Sequence, residues 1–199
     1  MRKLNQIRRE AILAAAAEEF SECGYEGASI AAIAARIGGS KPTIYRYFPS
    51  KEELFAEFAN RTAEAFMKAA DAELLKCDDL VQTLVEYGCR YLSFRQTSAG
   101  ICLTRLVYGE AGRSEIGRLV WNGAREAGLQ KIGHVLAAAM DRGKLRPSDP
   151  RVLALHLFGL LDAELVEPVV WGVREPALAE EIREVVGRAV DAFIAAYRP

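Results

Sequence analysis

The feature that most constrains the fold is a stretch near the N-terminus in which two short amphipathic segments are separated by one tight turn. The first segment begins at Ser29, whose hydroxyl can accept a hydrogen bond from a free backbone N–H, and has apolar residues at helical spacing. Gly38 and Gly39 end that segment, Ser40 begins the next, and Pro49 stops it. Two helices this short, joined by a glycine turn, predict a helix-turn-helix.

The remaining sequence also has helical periodicity, and no segment alternates like a strand. A helix is predicted over residues 4–23, with its charges opposite the apolar face, and a capping box of Ser50 and Glu53 predicts a long helix that ends near residue 71. Further helices are predicted over 79–96, 99–110, 114–142, 149–172 and 176–197. We therefore predict an all-α chain, with an N-terminal three-helix helix-turn-helix domain over 5–60 followed by a larger helical bundle over 61–199.

Composition excludes disorder and a membrane protein. The chain has 199 residues, of which 51% are hydrophobic and 27% charged, as in ordinary globular proteins. Its most apolar late stretch, residues 153–173, is interrupted by four charged or polar side chains, so we expect no membrane span and a cytoplasmic protein. Although the net charge is −1, residues 1–51 hold 8 Lys and Arg against 5 Asp and Glu, so the positive end coincides with the helix-turn-helix.

The cysteine and histidine pattern argues against metal, cofactor and catalytic chemistry. The four cysteines, none of them in a C-x-x-C pair, are Cys23, Cys77, Cys89 and Cys102. Only His134 and His156 could add imidazole ligands, and neither lies in a catalytic motif. We predict no catalytic residue, no metal and no cofactor; a redox-sensing cysteine pair and, more remotely, a helical enzyme remain alternatives.

The second helix of the pair predicts a DNA-reading face. With Ile44 and Phe48 turned inward, its other side presents Lys41, Pro42, Thr43, Tyr45, Arg46 and Tyr47. Such side chains can meet base edges, a thymine methyl group and phosphates in a major groove. Ser29, Ser40 and Lys51 lie at helix N-termini, where backbone N–H groups favour an anion. Each residue alone has a structural explanation as a cap, a packing aromatic or a solvated cation. Their occurrence together on one helix-turn-helix favours a DNA-binding role.

The segment from Arg8 to Phe55 resembles the DNA-binding domain of tetracycline-repressor (TetR) type transcriptional regulators. The matching motifs are Gly24-Tyr25, Thr43-Ile44-Tyr45-Arg46-Tyr47-Phe48 and the sequence from Ser50 to Phe55. The resemblance implies that Ser29 contacts a phosphate, that Lys41, Pro42 and Thr43 lie near bases, and that Tyr45, Tyr47 and Lys51 contact the backbone. The chain departs from the family at Ala31, where some relatives contact DNA, and at Gly39, where relatives usually have an apolar residue. We expect Ile37 to fill the space at Gly39.

Residues 141–168 and 186–198 resemble the C-terminal domain of the AefR-like subgroup. The apolar stripes of helices 149–172 and 176–197 can pack within one chain or form a two-fold four-helix interface, and the resemblance implies a homodimer through them. The resemblance further implies that residues 5–60 are a DNA-binding domain and that residues 61–199 bind the effector and dimerise. Our hypothesis is a repressor that leaves a palindromic operator when an effector binds and displaces the helix that begins at Ser50. The aromatic and aliphatic side chains of the C-terminal part, without a glycine-rich phosphate loop, favour a small hydrophobic or aromatic effector. Polar or aromatic residues in apolar surroundings are the candidate effector contacts: Tyr91, Arg105, Tyr108, Trp121, Met140, His156 and Trp171.

Overall fold

A computed structural model of the chain describes the backbone of residues 2–74 and 79–199 and the side chains of residues 5–68 and 79–199. Within these ranges every named element is a helix, and the predicted all-α class is confirmed. The helices are α1 (Arg2–Gly27), α2 (Ile30–Arg36), α3 (Lys41–Tyr45), α4 (Lys51–Leu74), α5 (Leu80–Arg95), α6 (Ser98–Glu110), α7 (Ile116–Val120), α8 (Glu126–Asp141), α9 (Pro150–Asp162), α10 (Val166–Val170) and α11 (Ala179–Tyr197). None of those described is long and apolar enough to cross a bilayer.

The chain forms two compact units. Unit 1 comprises the residues up to Thr62 together with Cys102–Ala124, and unit 2 comprises Ala63–Ile101 and Arg125–Pro199. By packing, the segment from Cys102 to Ala124 therefore belongs with the helix-turn-helix helices. The functional division at residue 60 stays a prediction.

The core of unit 1 is apolar and rich in aromatic side chains. Ile12, Ile33 and Ile44 are fully buried, and the Phe20 ring meets the Phe55 ring edge-on at a centroid distance of 5.0 Å. Helical spacing predicts that Ile7 shares the apolar stripe of α1 with Ile12 and Phe20, but its side chain is 60% exposed and lies outside the core. The core begins at Ile12, and the first turns of α1 carry polar side chains toward α3 and α4 instead.

One buried carboxylate, that of Glu19, joins α1 to α2. Glu19 is 5% exposed, although the sequence placed the charges of α1 on its outer face. One of its oxygens accepts a hydrogen bond from the Ser29 backbone N–H (3.3 Å) and the other accepts from Nε of Arg36 (3.2 Å). Arg36 also pairs with Glu18 and Glu22. Because Ser29 precedes α2 and Arg36 ends it, Glu19 fixes both ends of that helix against α1.

Unit 2 has its own core, formed by α5, α8, α9 and α11. Its fully buried side chains include Leu84, Leu136, Leu157, Val186 and Phe193. Gly88 allows close approach of the helices, since a Cβ there would lie 2.8 Å from Val186 and 2.9 Å from Leu161.

Two of the predicted helices are interrupted. The segment 114–142 contains a π-helical turn (Trp121–Arg125), where Gly123 has non-helical angles (φ −91°, ψ −108°) and Asn60 accepts a hydrogen bond from the Ala124 N–H (2.9 Å). The segment 149–172 ends as α9 at Asp162 and restarts as α10. Pro168 explains the restart, because a residue without an N–H suits the first turn of a new helix better than the middle of an old one.

We expect Glu19→Ala to lower the free energy of unfolding by about 2 kcal/mol, because it removes a buried carboxylate and leaves the Ser29 N–H and part of the Arg36 guanidinium without that partner. Urea titration followed by circular dichroism measures this. The control is Glu22→Ala, which removes an exposed partner of the same arginine and should cost less than about 1 kcal/mol. Equal losses in the two variants would contradict the role assigned to Glu19.

Candidate DNA-binding surface

The turn between α2 and α3 is built around Gly38. Its φ of +60° is in the left-handed region that glycine adopts without steric cost. The Gly38 N–H donates to the Ala35 carbonyl (3.1 Å) and the Gly39 N–H to that of Ala34 (2.8 Å), which closes the C-terminus of α2. Ala34, 3% exposed, is the small residue expected at this crossing. The helix-turn-helix therefore has the local chemistry predicted for it.

Of the three predicted serine caps, two act as predicted. The Ser29 hydroxyl accepts from the Ala32 N–H (3.0 Å), and the Ser50 hydroxyl accepts from the Glu53 N–H (3.1 Å). Ser40 occupies the cap position of α3, but its hydroxyl lies 3.0 Å from the Thr43 hydroxyl and caps no backbone group. Pro42 accounts for part of this, because it has no N–H to offer in the first turn.

The two faces of α3 differ sharply in exposure. Ile44 is fully buried and Phe48, just beyond the helix, is 3% exposed. On the opposite side Lys41, Pro42, Tyr45 and Arg46 are exposed, and Thr43 and Tyr47 are partly so. A bare face of this kind is what insertion into a groove requires.

Cations of the helix-turn-helix region fall into two groups. Arg9, Arg36 and Arg61 form ion pairs with glutamates of α1 and α4. The other lysines and arginines between residues 5 and 62 have no carboxylate oxygen of a described residue within 4.0 Å: Arg8, Lys41, Arg46 and Lys51. The paired cations brace the helices, whereas the unpaired ones keep their charge available to a polyanion.

Lys51 lies over an aromatic ring instead of a carboxylate. Its Nζ is 4.3 Å from the centre of the Tyr25 ring. Burial, with a smaller contribution from Glu52, raises the pKa of the Tyr25 phenol, so that ring stays neutral. The Tyr25 ring therefore positions the ammonium group at the start of α4.

Tyr47, expected on the DNA backbone, already has a partner. Its hydroxyl donates to Oδ1 of Asn5, near the start of α1, at 2.9 Å. Sequence reasoning missed Asn5, because nothing in the sequence indicates which side chain of α1 faces α3. The bond holds the Tyr47 ring at the edge of the exposed face.

The seven candidate effector residues are divided between the two units. Arg105, Tyr108 and Trp121 belong to unit 1 and are exposed. In unit 2, Trp171 is 72% exposed, His156 contacts the Tyr197 hydroxyl, and the Met140 sulfur accepts from the Ser148 N–H (3.2 Å). Apolar sequence neighbours do not fix which way a helical side chain points, so several of these residues face outward.

Tyr91 is the candidate that lies in a buried polar cluster. Its hydroxyl donates to Oδ2 of Asp162 (3.0 Å) and accepts from Nη1 of Arg125 (3.2 Å). The Arg125 guanidinium lies 4.4 Å from the centre of the Phe158 ring. Burial raises the pKa of Asp162, against the opposing effect of Arg95, Tyr91 and Arg125. The cluster combines a phenol, a carboxylate and a guanidinium beside apolar side chains.

The described cysteines are free thiols. Cys23 and Cys102 are exposed and Cys89 is partly buried. Cys77 lies outside the described residues. Among those described, there is also no group of three His, Cys, Asp or Glu side chains that could hold a metal ion.

Two family profiles match this chain. "Bacterial regulatory proteins, tetR family" matches residues 12–58, and "AefR-like transcriptional repressor, C-terminal domain" matches residues 82–199. The HTH-type transcriptional regulator YhgD of Bacillus subtilis (strain 168) is 26% identical over 178 residues, which cover 87% of this chain and 89% of YhgD.

Similar solved structures cover nearly the whole chain. A TetR-family transcriptional regulator from Mesorhizobium loti MAFF303099 has a TM-score of 0.84 and 26% identity, over 98% of both chains. The flavonoid-responsive regulator FrrA has a TM-score of 0.75, also with 26% identity over 98% of both chains.

Two substitutions distinguish a residue that contacts bases from one that contacts the DNA backbone. Thr43→Ala should relax the preference at particular base pairs by about 1–3 kcal/mol, whereas Tyr47→Phe should weaken binding to all duplexes alike. Fluorescence anisotropy against single-base variants of a bound duplex measures both. Thermal unfolding of Tyr47→Phe controls for the loss of the bond to Asn5, which should cost about 1 kcal/mol. A Thr43→Ala variant with unchanged base preference would contradict the placement of Thr43.

Proposed function

Because this chain belongs to the TetR family of transcriptional regulators, we propose that it binds a palindromic DNA operator as a homodimer and is released by a small hydrophobic or aromatic effector. The observation that carries the proposal is the bare face of α3, flanked by cations that no described carboxylate neutralises. TetR-family regulators bind DNA and small-molecule effectors, typically as dimers.

The proposed contacts follow from where the side chains lie. Lys41, Pro42 and Thr43, at the start of α3, meet base edges, since the first residues of a recognition helix reach deepest into the groove. Backbone contacts come from residues around this helix: Ser29, Ser40, Tyr45, Arg46, Tyr47 and Lys51. The Tyr47 hydroxyl exchanges its bond to Asn5 for one to a phosphate when DNA binds. The Ser29 hydroxyl can contribute because, as a cap, it only accepts a hydrogen bond and keeps its own proton to donate.

The proposed dimer contact is the outer face of α9 and α11. Their inner faces bury Leu157, Phe158 and Phe193 in the core of unit 2. On the outside, a Cβ at Gly159 of α9 or at Gly187 of α11 would have no heavy atom within 4 Å. Small residues on both helices allow the same pair from a second copy to approach closely. A two-fold dimer would place the second α3 about 34 Å away, one turn along the duplex.

We assign the effector's polar group to the cluster of Tyr91, Arg125 and Asp162. The Phe158 ring packs against the Arg125 guanidinium and the Tyr91 ring, so aromatic and hydrogen-bonding groups adjoin here. A phenol or another aromatic hydroxyl suits this combination, and the similarity to the flavonoid-responsive regulator FrrA supports that class. To release DNA, the effector must bind the non-binding conformation more tightly; equal affinity for both would shift nothing.

Gly187→Arg should convert the protein to a monomer and lower its affinity for a palindromic duplex at least about 100-fold, because one recognition helix is lost per complex. Light scattering after size-exclusion chromatography and anisotropy measure the two effects. The substitution should not unfold the subunit, since arginine favours helix more than glycine does and the space is open.

The matched control is Gly109→Arg, in α6 of unit 1, where a Cβ also has no neighbour within 4 Å. It should leave the oligomeric state unchanged. A dimeric Gly187→Arg variant with full DNA affinity would exclude the proposed interface.

Tyr91→Phe should leave DNA affinity unchanged and raise the flavonoid concentration needed for DNA release about tenfold, because the phenol that orders the cluster is gone. Anisotropy of a bound duplex during titration with a flavonoid panel measures this. Tyr197→Phe, which removes a hydroxyl paired with His156, is the control and should respond as the unaltered protein does. A panel that releases no DNA from the unaltered protein would rule out this effector class.

A further inference from the structure

Gly39 has little room for a side chain, although its backbone angles would allow one. Unlike Gly38, it does not have a positive φ, so an ordinary residue could adopt its conformation. A Cβ at Gly39 would lie 3.0 Å from Nη2 of Arg8 and 3.3 Å from Cδ1 of Ile37. The expectation that Ile37 occupies this space is confirmed, and the end of the Arg8 side chain shares it.

The Arg8 guanidinium is available to a ligand. It forms no ion pair or hydrogen bond with the residues that the structure describes, and its side chain is partly exposed. Its neighbour Arg9 behaves in the opposite way, since it pairs with Glu57 (3.0 Å) and lies 4.9 Å from the centre of the Phe48 ring. Arg9 therefore stabilises the packing of α1 against α4, whereas Arg8 reaches the turn between α2 and α3.

Two contacts place this part of α1 beside both ends of α3. Arg8 reaches Gly39, which comes just before the start of α3, and Asn5, one helical turn earlier, bonds Tyr47, which follows its end. Asn5 and Arg8 lie on the same side of α1, because residues three apart are neighbours on a helix. The guanidinium therefore lies next to the residues proposed to enter the groove.

We propose that Arg8 binds a phosphate of the operator backbone beside the base-reading residues of α3, and that Gly39 is the residue that leaves room for it. The proposal rests on DNA binding through α3, as proposed above. A guanidinium matches phosphate geometry with two parallel hydrogen bonds, and a duplex seated on α3 carries phosphates on both sides of the occupied groove. A Cβ at position 39 would require the guanidinium to shift by a few tenths of an ångström, and a larger side chain would displace it further.

The test compares Arg8→Gln with a control, Arg113→Gln, which alters an exposed arginine of unit 1 outside the helix-turn-helix. The probes are two labelled duplexes of about 30 bp, long enough for half-sites one turn apart, one from upstream of the chain's own gene and one of random sequence. Affinity is measured by anisotropy between about 50 and 200 mM salt. Each lost phosphate contact reduces the slope of log K against log salt by about 0.9.

For a dimer, Arg8→Gln should make that slope about 2 units shallower and weaken binding to both duplexes about tenfold or more at low salt, while Arg113→Gln changes neither. Gly39→Val should weaken binding in the unaltered background and have no further effect beside Arg8→Gln, because both act through the position of one side chain.

Three results would overturn the proposal. An Arg8→Gln slope equal to that of Arg113→Gln excludes a phosphate contact by Arg8, and a loss confined to certain base pairs assigns Arg8 to base reading instead. A Gly39→Val effect of equal size in both backgrounds excludes the role of Gly39. If the unaltered protein binds neither duplex, the proposed function fails together with this one; if it binds and Arg8→Gln matches the control, only this proposal fails.

Discussion

Burial of Ile44 and Phe48 is the constraint on which the DNA-reading surface depends. A helix as short as α3 (Lys41–Tyr45) has no stability of its own, because forming the first turn costs more than its few hydrogen bonds return. Ile44, fully buried, and Phe48, 3% exposed, attach α3 to the core that α1, α2 and α4 form around Ile33 and Phe55. With those two side chains held inside, helical geometry leaves Lys41, Pro42, Tyr45 and Arg46 outside, where bases and phosphates can reach them.

The charged side chains around α3 are divided into paired and unpaired groups. The glutamates of α1 and α4 neutralise the arginines that brace the helices, and the buried carboxylate of Glu19 also satisfies the backbone N–H that precedes α2. The cations around α3 receive no such partner among the described residues. The net charge of the chain is small, but its charges are unevenly placed. The carboxylates pair with arginines between helices, and unpaired positive charge remains on the face that would meet DNA.

The local part of this structure was predictable from the sequence. Ser29, Gly38 and Ser50 act through backbone groups a few residues away, so propensity and spacing are enough to assign them. Contacts between distant residues were not predictable. No local pattern shows that Glu19 is buried against Arg36, that Asn5 meets Tyr47, or that Arg8 fills the space at Gly39. The same holds for Tyr91, because only the folded chain brings its partners Asp162 and Arg125 near it.

In this account, α3 lies in the groove of a duplex and the unpaired cations around it contact phosphates. The most direct measurement is the slope of log K against log salt for the unaltered protein on double-stranded DNA. If Lys41, Arg46 and Lys51 of both copies each contact one phosphate, we expect a slope of about −5 or steeper. A slope shallower than about −1, or no binding at about 50 mM salt, would contradict it.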